Sequence, residues 1–226
     1  MTSDKPSVAY LGPPCSFSHQ AALQTFPPSE YTLVPQPSIY AVTHSVSTAH
    51  TSHGIVPLSN STNGPVSLTH TALAAHPNIH VQRTTSLKIH HCLIGHAPPP
   101  SASPHTSTTN TDYSLSHITR LLTHPQVWTQ CTAFLAAPPE ESGLAKGVQR
   151  VDAASTSAAV EAVRRDGSGR SAAIAAKVAV DGEGEGLVVL REGLEDDGEG
   201  NETRFGVVGL RRVEEEEEEE EKEERE

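Results

Sequence analysis

The sequence has few aromatic residues, few cysteines and no long apolar run. Aromatic side chains make up 4% of the 226 residues, and tryptophan occurs once. Cys15, Cys92 and Cys131 are odd in number and far apart, which excludes a disulfide framework and fits a reducing compartment, most simply the cytosol. No segment approaches the roughly 20 apolar residues that span a bilayer. The amino terminus has no basic region followed by an apolar one, so we expect no secretory signal.

Positive charge is also scarce, and the acidic excess is concentrated at one end. The formal net charge is −12, of which residues 214–226 carry −9. The other residues therefore carry about −3, and they offer no electrostatic surface for nucleic acid or an anionic membrane. We expect the Glu-rich segment 214–226 to be a solvated, disordered tail.

Several motifs that would indicate cofactor or metal chemistry are missing. The chain contains no GxxxxGKS/T, no HExxH and no GxSxG. Gly182, Gly184 and Gly186 alternate with acidic residues that would repel a phosphate, so they do not indicate a dinucleotide loop. The 13 histidines are scattered without zinc-ligand spacing. We therefore expect neither a metal nor a cofactor.

Apolar runs and turn residues alternate along the first part of the chain. Val8–Leu11, Tyr31–Val34 and Gly54–Leu58 are short apolar segments typical of strands, and helical patterns follow each of them. Ser38 is placed to cap the second helix, with Ile39, Val42 and Val46 on one face. This order predicts an α/β fold with parallel strands.

The later part of the chain gives weaker signals. Ile79–Ile94 is extended, and residues 97–111 form a Pro/Ser/Thr segment that we expect to be a mobile loop. The remaining predicted elements are helices over Ser114–Leu122, Pro125–Ala136 and Ser155–Arg165, a strand at Val148–Val151, a strand running into a helix at Ala172–Ala179, and strands at Leu187–Leu190 and Arg204–Leu210.

Polar turns follow several of these strands, where α/β sheets place their binding sites. They are Gly12–Ser18, Ser59–Gly64, His124–Gln126, Ser155-Thr156 and Asn201–Phe205. Each alone is more often a helix cap than a site, because Ser, Thr and Asn satisfy the free N–H groups of a helix. Several helix amino termini facing one cleft would bind anions without many basic residues. With Arg204 as a bidentate carboxylate ligand, this chemistry suits a small dicarboxylate.

The same segments carry a resemblance to the prephenate dehydratase family. Seven motifs occur in the family's order over nearly the whole chain before the tail. They are Val8–Pro13 with Ser16–Ala22, Val56–Ser61 with Gly64, Ile89–Leu93 with His91 at the family's histidine, His124-Pro125-Gln126 with Gln130-Cys131, Ser155-Thr156, Ala172–Ala175, and Asn201–Phe205.

The resemblance implies a fold like that of the type II periplasmic binding proteins. Two α/β lobes would be joined by two crossings, with the site in the cleft between them. The catalytic domain would span residues 1–213, with lobe I at about 1–86 plus 187–213 and lobe II at about 87–186. The family's phenylalanine-binding ACT domain is expected to be absent from this chain, which continues into poly-Glu instead.

The implied activity is the decarboxylating dehydration of prephenate to phenylpyruvate, in cytoplasmic L-phenylalanine biosynthesis. Thr203 would deliver the proton to the leaving hydroxyl by a hydrogen bond. The implied substrate-binding residues are Ser16, Ser18, Asn60, Ser61, Gly64, Gln126, Ser155, Thr156, Arg204 and Phe205. No metal and no cofactor take part. The expected partner is the small-molecule substrate, with no nucleic acid and no membrane, and a homodimer is a possible assembly.

Two departures from the family keep alternatives open. The family usually has Gly at the position of Cys15 and Glu at the position of Ser59. The first alternative is arogenate dehydratase, which performs the same chemistry on the amino analogue. The second is an inactive small-molecule-binding relative, which the two departures favour and the retained Asn60, Gln126 and Thr203 oppose.

Overall fold

The computed structural model describes residues 5–97, 113–181, 186–196 and 200–211. The first elements, in chain order, are β1 Ser7–Leu11, α1 Phe17–Thr25, β2 Thr32–Gln36, α2 Ile39–Ser47, β3 His53–Asn60, β4 Gly64–Pro65, α3 Ser67–Ala74 and β5 Ile79–Lys88. The later elements are β6 Cys92–His96, β7 Arg120–Thr123, a 3₁₀ helix Pro125–Thr129, α4 Thr132–Ala136, α5 Pro139–Ser142, β8 Gln149–Asp152, α6 Thr156–Asp166, β9 Ser171–Ala175, α7 Val178–Asp181, β10 Leu187–Arg191 and β11 Glu202–Leu210.

The first compact unit is built on a mixed sheet with the strand order β2-β1-β3-β11-β5, with β4 paired to β3. Strands β1, β2 and β3 are parallel, as the alternating pattern predicts, and β11 is antiparallel to β3. Helix α2 begins after Ser38, whose hydroxyl accepts a hydrogen bond from the backbone N–H of Ala41, which confirms the predicted cap. Its buried face packs so closely on β3 that a Cβ at Gly54 would lie 2.8 Å from Val42.

The second unit is built on a sheet with the strand order β10-β6-β9-β7-β8. Strands β7, β8 and β9 run parallel, whereas β6 is antiparallel to β9 and β10 is antiparallel to β6. All five residues of β9 are buried, and three of them are alanines. These small side chains let α6 pack against β9 through Val160 and Val163. Two separate α/β units with one sheet each confirm the predicted α/β class.

The division between the units differs from the predicted lobes. The first unit comprises residues 5–13, 18–87 and 202–211, and the second comprises the described residues within 14–17 and 88–201. Residues 187–201 were predicted in lobe I but lie in the second unit, because β10 pairs with β6 in the register Leu187↔His96. Such pairing joins segments distant in sequence, and the strand pattern alone does not name the partner.

Two predicted helices are also wrong in part. The segment 114–122 is not helical, and its end forms strand β7, whose Leu121 and Leu122 are buried between β8 and β9. The predicted helix Pro125–Ala136 consists of a 3₁₀ helix and the separate helix α4, interrupted at Gln130 and Cys131. Burial in a sheet outweighs local propensity in short apolar segments.

Some sequence predictions fall outside the described residues. These are the loop over 98–112, most of the Gly/acidic segment at 182–185, and the acidic tail over 214–226. Within the parts of the chain that the structure covers, no helix has the length and apolar character needed to cross a bilayer.

Candidate functional site

Asn60 and Thr203 form the centre of the candidate site in the first unit. They stand directly opposite one another on the antiparallel strands β3 and β11. The Asn60 amide nitrogen donates to the Thr203 hydroxyl oxygen at 3.0 Å and to the backbone oxygen of Glu202 at 3.1 Å. The Asn60 amide oxygen accepts from the backbone N–H groups of Thr62 and Asn63, which prevents the amide from turning.

This arrangement leaves the Thr203 proton available. The hydroxyl oxygen accepts from Asn60, and no described residue accepts the hydroxyl proton. Thr203 is half-buried, so part of its side chain can be reached from outside the unit. A hydroxyl that is oriented from one side and free to donate on the other is suited to hydrogen-bonding an oxygen of a bound molecule.

Ser61 and Gly64 shape the turn beside this pair. Ser61 bonds twice to Glu202, since its backbone N–H donates to the Glu202 carbonyl and its hydroxyl accepts from the Glu202 N–H, both at 2.9 Å. Gly64 has φ 76°, a left-handed conformation that other residues adopt with strain, and it pairs with Asn60. The predicted residues Asn60, Ser61, Gly64 and Thr203 are therefore brought together.

Arg204 and Phe205 are placed differently from this cluster. The Arg204 side chain is exposed, and its guanidinium lies 3.4 Å from the Thr84 hydroxyl on β5. In the strand register Arg204 stands opposite Ser59, the position where the family usually has Glu. Phe205 is only 1% exposed and belongs to the core of the first unit. The ring therefore presents little surface within this unit, and its contact with substrate stays a prediction.

Ser16 and Ser18 lie at the amino end of α1. Ser16 is half-buried and belongs to the second unit, whereas Ser18 is 7% exposed and belongs to the first. Cys15, which precedes them, has φ 65°, so the backbone is left-handed at the position where the family usually has Gly. A side chain in that conformation strains the backbone, which gives a physical reason for glycine there.

Three predicted residues follow the carboxyl ends of two neighbouring strands in the second sheet: Gln126, Ser155 and Thr156. Strands β7 and β8 are parallel and end together at Thr123 and Asp152, so the segments after them share an edge. Gln126 is exposed on the 3₁₀ helix, and no described residue bonds to its side-chain amide. The Ser155 hydroxyl caps α6 by accepting from the Ala158 N–H at 3.0 Å, and Thr156 opens that helix.

A hydrogen-bonded network around the buried His91, at the same end of the sheet, was not predicted as a whole. His91 is 1% exposed, and its Nε2–H donates to the Gln130 amide oxygen at 2.9 Å. The His91 backbone N–H donates to one Glu195 oxygen, and the His90 ring donates to the other, both at 2.8 Å. The His91 and Gln130 positions belong to the quoted motifs, but nothing in the sequence separates Glu195 from neighbouring solvated acids.

The surroundings of His91 and Glu195 shift the pKa values of both side chains. Burial lowers the pKa of His91, and it outweighs the opposing effects of the Gln130 hydrogen bond and the Glu195 charge, so the ring is neutral at pH 7. Burial acts to raise the pKa of Glu195, but the hydrogen bonds from His90 and the His91 backbone hold it below its ordinary range. Glu195 is therefore an ionised acceptor that fixes the segment before β6.

The two buried thiols, those of Cys92 and Cys131, are not activated. Burial raises the pKa of both Cys92 and Cys131 to about 12, so neither is a thiolate at neutral pH. Among the described residues no group of three or more His, Cys, Asp or Glu side chains could hold a metal. One pocket in the first unit has a volume of about 570 Å³ and is lined by Gln36, His44 and His50, among others, and by none of the predicted site residues.

Comparisons with known proteins agree with these motifs. The family described as prephenate dehydratase matches residues 8–213. A bifunctional chorismate mutase/prephenate dehydratase from Stutzerimonas stutzeri is 34% identical, over 91% of this chain and 49% of its own length. Arogenate dehydratase/prephenate dehydratase 1 from Arabidopsis thaliana is 29% identical, over 89% of this chain and 44% of its own. The chain spans about half the length of these curated relatives.

A solved structure shows the same fold. Prephenate dehydratase from Arthrobacter aurescens in complex with L-Phe superposes with a TM-score of 0.73 at 24% identity, over 92% of this chain and 61% of that one. The family match covers both units, from β1 to the end of β11. The chain belongs to the prephenate dehydratase family.

Proposed function

We propose that this chain is a prephenate dehydratase, a hydro-lyase that converts prephenate to phenylpyruvate in L-phenylalanine biosynthesis. The observation that carries the proposal is the Asn60–Thr203 pair. The amide orients the hydroxyl oxygen at 3.0 Å, and no described residue takes the hydroxyl proton. That is the geometry required of a group that hydrogen-bonds a leaving oxygen.

The reaction balances without an electron carrier. The ring carboxylate of prephenate leaves as CO2, its bonding electrons enter the ring, and the ring hydroxyl departs with one added proton as water. Aromatisation provides the driving force. Thr203 is a weak acid, so its role is to donate a hydrogen bond as negative charge develops on the leaving oxygen. Asn60 holds Thr203 in position for this step.

The remaining polar residues hold the substrate in the proposal. The amino end of α1, near Ser16 and Ser18, binds a carboxylate, because helix amino termini attract anions. Gln126 offers an exposed neutral amide to a substrate oxygen. Further contacts come from the Ser61–Gly64 turn and Thr156. Ser155 contributes by capping α6. Arg204 is exposed and able to bind a carboxylate through its guanidinium.

We place the reaction in the cytoplasm, with prephenate as the partner and without nucleic acid or membrane. None of the three cysteines forms a disulfide, which fits a reducing compartment. A homodimer is part of the proposal as well, and light scattering of the purified chain would test it.

The test is to incubate the purified chain with prephenate and to follow phenylpyruvate by its ultraviolet absorbance. We expect enzymatic turnover that persists in EDTA. The matched control is the Thr203→Val protein at the same concentration, which should form product at least 100-fold more slowly, the scale of a lost positioned donor. Product formation no faster than the spontaneous rate would reject the proposal in favour of an inactive binding relative.

Arogenate is the second candidate substrate, because the Arabidopsis relative carries both activities in its name. The two substrates differ only in a keto or an amino group on the side chain, at a carbon that takes no part in the bonds that break. Parallel measurement of kcat/KM on both would decide between them, and we expect the prephenate value to be larger.

A further inference from the structure

The single tryptophan of the chain, Trp128, joins the 3₁₀ helix to strand β8 in the second unit. Trp128 lies on the 3₁₀ helix that carries Gln126. Its indole N–H donates to the Asp152 carboxylate at 2.7 Å. The centre of the same ring lies 5.9 Å from the guanidinium carbon of Arg150. The indole thus contacts two residues of strand β8.

The position of β8 makes this contact effective. β8 is an edge strand whose neighbour in the sheet is β7. Arg150 and Asp152 are two residues apart on it, so both side chains point to the same face. Asp152 is paired with Thr123, the last residue of β7, and the 3₁₀ helix begins two residues after Thr123. The 3₁₀ helix follows strand β7, and the indole therefore links this helix to the neighbouring strand β8.

The 3₁₀ helix is short, and its other support is the packing of Val127 in the core and two hydrogen bonds within the segment, from the Gln126 N–H to the His124 ring and from the Thr129 hydroxyl to the Gln126 carbonyl. It has five residues, and the hydrogen bonds of such helices have poorer geometry than those of α-helices. Val127 is its one buried residue. Gln126 is exposed, and among the described residues Trp128 makes the one side-chain hydrogen bond from this helix to another secondary-structure element. The bond is charge-assisted, which makes it stronger than a neutral one.

We propose that Trp128 and Asp152 are positioning residues that hold Gln126 for substrate binding. This proposal rests on the proposed function, in which Gln126 bonds a substrate oxygen. Neither Trp128 nor Asp152 needs to touch the substrate. Their hydrogen bond restricts the helix, so that the Gln126 amide is presented in one place before the substrate arrives.

Three variants separate the bond from the rest of the contact. Trp128→Phe keeps an aromatic ring and removes the N–H donor. Asp152→Ala removes the acceptor, and Asp152→Asn keeps an acceptor oxygen. The matched control is Ser168→Ala, which removes an exposed hydrogen bond to Asp166 in the turn after α6 of the same unit.

The first readout is amide hydrogen exchange of the ligand-free protein. We expect exchange of residues 124–130 to accelerate about tenfold in Trp128→Phe and Asp152→Ala, by less than about threefold in Asp152→Asn, which keeps the acceptor and loses the charge, and not at all in Ser168→Ala. The second readout is steady-state turnover. KM for prephenate should rise about fivefold to tenfold in the first two variants, with kcat within twofold of wild type. The double variant should match the single ones, because each removes the same bond.

Unchanged exchange at 124–130 in Trp128→Phe would overturn the proposal, as would faster exchange with an unchanged KM. Additive KM effects in the double variant would overturn it too, since the two residues would then act separately. A wild-type chain without prephenate turnover would reject the proposed function and the substrate role with it. In that case, faster exchange confined to residues 124–130 in Trp128→Phe and Asp152→Ala would still show that the hydrogen bond restrains the helix. Unchanged exchange would show that it does not.

Discussion

The two units hold their polar residues in place by different means. In the first, Asn60 and Thr203 sit on paired strands of eight and nine residues, and the strand register alone brings amide to hydroxyl. In the second, the corresponding residues follow strands of four residues and lie in a short 3₁₀ helix and at the amino end of α6. Side-chain bonds fasten those segments, such as Trp128 to Asp152 and Asp196 to the start of α4.

The difference suggests that the first unit serves the chemical step and the second serves substrate binding. A long antiparallel pair fixes side-chain positions closely, which suits a residue that must meet a reacting atom. Loops after strands carry groups that bind, and their position depends on single hydrogen bonds. Changes in the first unit should therefore affect the chemical step, whereas changes in the second should affect affinity or stability.

The largest expected effect is that of Thr203→Val. The substitution keeps the β-branched shape and removes the hydroxyl, so kcat should fall by about 100-fold or more. KM should change far less, because the lost interaction forms mainly in the transition state. Thr32→Val is the matched control, since Thr32 is an exposed threonine on the edge strand β2 of the same sheet. A near-normal kcat in Thr203→Val would remove this residue from the mechanism.

The next largest effect should come from Asp196→Ala. The Asp196 carboxylate accepts from the backbone N–H groups of Thr132 and Ala133 and from the Thr132 hydroxyl, at 2.7 to 2.8 Å, and so caps α4. Loss of such a cap lowers the free energy of unfolding by about 1–2 kcal/mol. Denaturant unfolding at pH 7 measures this, with Asp196→Asn as the control that keeps a capping oxygen.

The same variant has a defined pH dependence. Burial acts to raise the pKa of Asp196, but the hydrogen bonds from Ala133 and Thr132 outweigh it and hold the pKa below its ordinary range. The stabilisation is therefore complete above the unfolded pKa of about 3.9 and is lost as the pH falls through the lower folded value. Wild type and Asp196→Ala should converge in stability at acid pH. A gap as wide there as at pH 7 would show that the cap does not depend on charge.

A smaller effect, on the free energy of unfolding, is expected from placing glycine at two positions where another residue has a left-handed backbone. Cys15 has φ 65° and Ala49 has φ 58°, one in each unit. Cys15→Gly and Ala49→Gly should each raise the free energy of unfolding by about 1 kcal/mol, because glycine adopts this conformation without strain. Cys15→Ala is the control that removes the thiol and keeps the strain. A stability gain in Cys15→Ala equal to that in Cys15→Gly would contradict the backbone explanation.

The smallest effect is predicted for Ser59→Glu. The new carboxylate would stand at a half-buried position opposite the exposed Arg204 on the neighbouring strand, and such pairs contribute about 0.5 kcal/mol. The melting temperature should rise slightly at low ionic strength and lose the gain in 0.5 M salt. The double variant Ser59→Glu/Arg204→Met should show no gain at either salt concentration, and a gain there would exclude the ion pair as its cause.

Local signals in the sequence determined several elements correctly. Strand β1, helix α2 with its Ser38 cap, and the Ser155 cap of α6 each depend on residues within a few positions of one another. The motif residues Asn60 and Thr203 were also identified without a structure. The roles of the individual site residues stay predictions until the variants above are measured.

Tertiary structure alone decided the rest, because it depends on contacts between residues far apart in the chain. Leu121 and Leu122 form a strand because two other strands flank them, and β10 belongs to the second unit because β6 is its partner. The hydrogen bond from Asn60 to Thr203 spans 143 positions and follows from strand register. Asp196 serves as a cap for a helix 64 residues away. Periodicity and capping residues report on neighbours along the chain, whereas strand pairing and long-range caps are settled only when the whole chain packs.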